Sequence, residues 1–144
     1  MNFEIIVLSR LIYSENFLIS NEIVKGKDAV SDINRILNEN LFCTPNFSKM
    51  LNEIKIPTVH LITDHKKLLN KFCEEKKIKI VQNNEIVSII LHYKPKILIL
   101  RDAKDLQTKD LECLMCEYWI DPAGRLYEVD YSHTQDFTDD FSHY

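Results

Sequence analysis

Five residues, Thr58-Val59-His60-Leu61-Ile62, are mostly β-branched or apolar, follow Pro57 and stop at Thr63-Asp64, a pair suited to capping a helix. The next apolar side chains, Leu68, Leu69, Phe72 and Cys73, recur at helical spacing with Lys66, Lys67, Lys71 and Glu74 around them. A strand therefore runs into a helix with one apolar face. The pattern then repeats. Ile78 to Val81 reads as a strand, Asn83 or Asn84 as a cap, and Ile86, Val87, Ile89, Ile90 and Tyr93 as the apolar side of a helix that ends at Pro95. Ile97-Leu98-Ile99-Leu100 is apolar without alternation, as expected of a central strand covered on both faces. After Arg101-Asp102, Leu111, Leu114, Met115 and Tyr118 mark a further helix. Alternation of strand and helix with short connections from Pro57 to Tyr118 specifies parallel strands, because such crossovers are right-handed. The expected fold class is α/β: a small three-layer Rossmann-like sandwich with a mostly parallel sheet and a C-terminal edge strand or hairpin.

Upstream, Phe3 to Leu8 reads as an additional strand. Ala29, Val30, Ile33, Ile36 and Leu37 define one helix, and Phe47, Met50, Leu51 and Ile54 a shorter one starting near Pro45. Leu11 to Val24 fits either a hairpin turning at Glu15-Asn16 or a helical turn. Near the other end, Asp121-Pro122-Ala123-Gly124 has the residue order of a turn leading into an edge strand, Arg125 to Tyr131. A chain of 144 residues matches one core, so residues 1–131 are expected to form a single α/β domain and 132–144 a tail.

Glu4 and Arg10 interrupt the apolar residues near the start, where neither a basic leader nor a cleavage site is seen, and no apolar run approaches the ~20 residues of a membrane helix. A cytoplasmic protein with no membrane association is expected. In that reducing compartment Cys43, Cys73, Cys113 and Cys116 are expected as thiols. Cys113 and Cys116 stand at a redox-type spacing, but towards the end of their helix, where the dipole opposes a thiolate. With them, His133 and His143 are spaced too widely for a zinc finger, so no metal is expected.

With glycine only at positions 26 and 124, neither a dinucleotide fingerprint nor a phosphate-cradling loop can form, and no cofactor is expected. A phosphate-accepting role for Asp102 fails as well, because Phe3 to Arg10 supplies no paired acids to hold magnesium. None of the 18 basic residues follows Arg125, whereas five of the 22 acidic ones do. The body is balanced and the tail is acidic. Nucleic-acid binding is therefore not expected, and Lys66 to Lys79 reads as a solvated helix face.

Two functional classes remain. In the first, the chain is a protein-interaction or regulatory module, a small acidic inhibitor or adaptor, whose partner has a basic surface. Its contacts would be Tyr127 and Tyr131 on the edge strand together with Asp136, Phe137, Asp140, Phe141 and Tyr144, which form an acidic aromatic helical pattern. In the second, it is a small-molecule enzyme. Parallel sheets bind ligands outside the carboxyl ends of their strands, which here gathers Asp64, His65, Arg101 and Asp102 for acid-base work and anion binding. Helix capping accounts for Thr63, Asp64 and Asn83 without any ligand.

Overall fold

The structure, a computed structural model, describes residues 2–11, 13–39, 47–81, 83–101, 118–120, 123 and 125–128. It is an α/β fold. Strands β1 (Ile5–Ser9), β2 (Thr58–Ile62), β3 (Ile97–Leu100), β4 (Tyr118–Ile120) and β5 (Leu126–Glu128) form one sheet in the order β2-β1-β3-β4-β5. Pairing is parallel from β2 through β4, and β5 closes the sheet antiparallel to β4. The mostly parallel sheet with a C-terminal hairpin thus follows the expectation, with Ile97–Leu100 at its middle. All five residues of β1 and of β2 are buried, so β1 reads as an apolar run and the polar Thr58 and His60 of β2 are covered as well.

Helices α1 (Glu15–Ser20), α2 (Ala29–Asn38) and α3 (Phe47–Glu53) lie between β1 and β2, and α4 (Lys66–Glu75) and α5 (Glu85–Tyr93) between β2 and β3. The open segment after Leu11 is helical because the Ser14 hydroxyl accepts the Phe17 N–H, closing the first turn of α1. The apolar stripes of α4 and α5 are buried as their spacing predicts, and Phe72 of α4, Tyr93 of α5 and Phe3 form a chain of ring contacts. The stripe expected on α3 is only partly covered where its side chains are described. Met50 and Ile54 are exposed and Leu51 is half-buried.

Ile78 to Val81 is not a strand of the sheet. Lys77 takes a left-handed φ of 57°, and the Ile78 N–H returns to the Cys73 carbonyl at 2.8 Å, a helix stop that reverses the chain. The Val81 N–H then donates to the Ser88 hydroxyl at 2.8 Å, so a helix side chain takes the bond that a ladder would have supplied. Asn84 caps α5 by accepting the Val87 N–H, while Asn83 adopts a φ of 54° before it. Tyr118 belongs to β4 and not to a helix; the helix expected before it lies outside the described residues.

The start of α4 is capped from a distance. Neither Thr63 nor Asp64 caps it; the N-cap position is His65, which makes no side-chain cap bond, and the Glu15 carboxylate accepts the Lys67 N–H at 3.1 Å instead. Glu15→Ala should cost about 1 kcal/mol, read as a lowered midpoint of denaturant unfolding. A midpoint equal to that of the parent protein would show that water replaces this cap without loss.

Candidate functional site

The chain leaves β1 towards β2 and leaves β3 towards β4, in opposite directions along the sheet. The carboxyl ends of β1 and β3 therefore flank the point at which the strand order reverses, where sheets of this kind form a crevice. Ser9 ends β1 and Arg101 follows β3, held there by its N–H on the Leu8 carbonyl at 2.8 Å. Register adds His60. Val7 pairs with His60 and Ser9 with Ile62, so Ser9 and His60 are diagonal neighbours on one face, and the Ser9 hydroxyl is hydrogen-bonded to His60 Nε2. Both residues are buried, at 3% and 2% exposure, which limits access to the pair. Burial and then the nearby Arg101 charge hold the His60 imidazole down to about 4, so it is neutral near pH 7.

Asp64 and His65 sit after β2 and face each other, with Asp64 Oδ1 3.1 Å from His65 Nδ1. The same Asp64 oxygen accepts the Leu11 N–H at 3.2 Å, and the Thr63 hydroxyl donates to the Ser9 carbonyl at 3.3 Å. Both polar groups tie the exits of β1 and β2 together, which replaces the helix-capping role expected for them. His65 is buried at 2% exposure, and its Nε2 has no hydrogen-bond partner among the described residues. Lys66 Nζ lies 3.9 Å from Glu85, which brings the start of α5 beside the start of α4.

Of the residues expected at this end, Asp64, His65 and Arg101 are described and share the strand ends, while Asp102 lies outside the described residues. Ser9 and His60 were missed as a pair. Their only sequence signal is a polar residue, Ser9 or His60, inside each of two mostly apolar strands; what joins them is the register. A cleft of about 440 Å³ lies elsewhere, between α2 and α3, lined by Asn34, Asn38, Ser48, Lys49, Asn52 and Glu53. Among the described residues no three His, Cys, Asp or Glu side chains converge as a metal site. Cys73 is a buried thiol, pushed up to about 11 by burial and then by Glu85, and so is a poor nucleophile. Cys43, Cys113, Cys116, His133 and His143 lie outside the described residues.

At the other end of the sheet, β5 is the outermost strand, and among the described residues nothing pairs with its outer edge. Tyr127 is half-buried and packs on the core, whereas Leu126 is 64% exposed. Tyr131, Asp136, Phe137, Asp140, Phe141 and Tyr144 lie outside the described residues. No helix among the described residues is long and apolar enough to cross a membrane. Compared with protein-family models, curated proteins and solved structures, the chain matches none.

Proposed function

We propose that the chain is a protein-interaction or regulatory module that adds a basic partner to its C-terminal hairpin edge, with the acidic aromatic segment 132–144 as the second contact. The observation that supports this reading is β5 itself, last in the sheet, with Leu126 64% exposed where only acidic charge follows in the sequence. An edge strand offers unpaired N–H and C=O groups to another chain, and an apolar side chain on it adds area to such a contact. Acidic residues beyond it would select a basic surface and make capture salt-dependent. The test compares the full chain, a form ending at residue 131 and Leu126→Asp in capture from lysate at low and high salt. Both variants should lose the proteins that the full chain retains at low salt. An unchanged set of retained proteins would end this reading.

The second reading is an enzyme at the strand ends, and the observation that favours it is the convergence of Ser9, His60 and Arg101 beside Asp64 and His65. The near-complete burial of Ser9 and His60 counts against it. A fluorophosphonate probe that labels Ser9 in the folded protein would establish a reactive hydroxyl; absence of labelling would remove serine nucleophilic catalysis.

A further inference from the structure

Register divides the sheet into rows, because directly paired residues point to the same face. One row runs His60, Val7, Ile99, Ile120, Leu126 from β2 to β5, and the row two residues towards the strand amino ends begins Thr58, Ile5, Ile97, Tyr118. Exposure climbs along both. His60 and Val7 are buried, Ile99 and Ile120 are half-buried, and Leu126 is 64% exposed. In the second row Thr58 and Ile5 are buried, whereas Ile97 and Tyr118 are half-buried. On the other face of β3, Leu98 and Leu100 are buried in the core cluster that holds Phe72, Ile89 and Ile90 of α4 and α5. The sheet is thus packed on one face throughout and left half open on the other from β3 to β5.

Parallel strands are ordinarily covered on both faces. The connection from β3 to β4 crosses the sheet in the same direction as the one from β2 to β3, which carries α4 and α5, and the right-handed rule assigns both to one face. The half-open face therefore needs a different cover. The sequence after β5 has the pattern for one: Phe137, Phe141 and Tyr144 recur at i, i+4 and i+7, a helical aromatic stripe about 10 Å long. From Ile99 to Leu126 the open row crosses two strand spacings, again about 10 Å. Reach is not limiting. Val129 to Tyr131 alone separate the end of β5 from residue 132, and each extended residue spans about 3.3 Å.

We propose that in the free chain the segment 132–144 docks on this face, its aromatic side chains over Ile99, Ile120 and Leu126. A partner that takes both β5 and this segment must first lift the segment away, so the contact sets a threshold for capture. That consequence rests on the interaction-module reading; the contact itself does not.

The test is made by NMR on the free full-length protein with its Ile and Leu methyl groups labelled. Nuclear Overhauser effects should join the Leu126 and Ile120 methyls to ring protons of Phe137 or Phe141, and the rings should shift these methyl signals upfield. A form ending at residue 131, and Phe137→Ser with Phe141→Ser in the full chain, should both return the two signals to one common position. The Leu98 methyls, on the packed face, should not move in either, which reports that the fold is kept. In a mixture of labelled and unlabelled copies the effects should stay within one chain. The proposal is overturned by Leu126 and Ile120 signals that are the same in the full chain and in the shortened form, or by effects that pass between copies, which would make the face an interface between two molecules. Capture from lysate is a separate measurement, so failure of the contact leaves the partner reading standing and failure of capture leaves the contact standing.

Discussion

Lowering the pH from 6.5 to about 4 should strip on the order of 3 kcal/mol of stability from the protein through His60 alone. The imidazole is depressed from its ordinary 6.5 to about 4, first by burial and second by the Arg101 charge. Between those values the unfolded chain binds a proton at this site and the folded chain does not. Stability is therefore fully present above 6.5, falls as the pH drops towards 4, and falls no further at this site once the folded ring is itself protonated. Each tenfold change in proton affinity is worth ~1.4 kcal/mol, which sets the size of the loss. Urea unfolding at a series of pH values measures it, and His60→Gln, which keeps a hydrogen-bonding group near Ser9, should flatten the slope over that interval. A ring signal titrating near 6.5 in the folded protein, or a slope that survives His60→Gln, would refute the account. Asp28 also lies below its ordinary value, chiefly through the Ser31 hydroxyl, but it is a carboxylate and acts at still lower pH.

Phe72→Ala should cost about 3–5 kcal/mol, the largest effect expected from a single truncation. Phe72 is fully buried on α4, and its ring centroid lies 6.4 Å from that of Tyr93 on α5, which itself meets Phe3 edge-on at 4.9 Å. Removing the ring leaves a cavity where α4, α5 and the residue leading into β1 meet, and close-packed interiors refill such holes only in part. For a protein of this size the thermal midpoint should fall by roughly 10 °C or more. Met50→Ala provides the internal comparison: at 55% exposure it should change stability by less than about 0.5 kcal/mol. A Phe72→Ala loss no larger than that of Met50→Ala would mean that the helices close over the space without strain.

Much of the fold was legible because burial imposes a period on the chain. The largely apolar runs of β1 and β2 and the spaced stripes of α2, α4 and α5 match what is buried, whereas in β3, expected to be covered on both faces, Ile97 and Ile99 are only half-buried; a turn sequence between Ile120 and Leu126 announced the hairpin. Ile78 to Val81 has the same apolar composition as a strand, yet it lies outside the sheet. A four-residue run cannot report whether its N–H groups meet a neighbouring strand or, as for Val81, a serine on the next helix.

Local pattern also assigned Thr63 and Asp64 to capping, the usual task of those residue types, whereas the cap on α4 came from Glu15, 52 residues away. The candidate site divides in the same way. Residue type and place in the alternation put Asp64, His65 and Arg101 at the strand ends. That Ser9 meets His60, and that the His65 ring is sealed against Asp64 with Nε2 unpartnered among the described residues, depends on register and on the exits of β1 and β2 lying side by side. Periodicity along one segment carries information about its own faces. Contacts between residues about 50 positions apart are set by how whole elements pack, and no spacing within a single element encodes them.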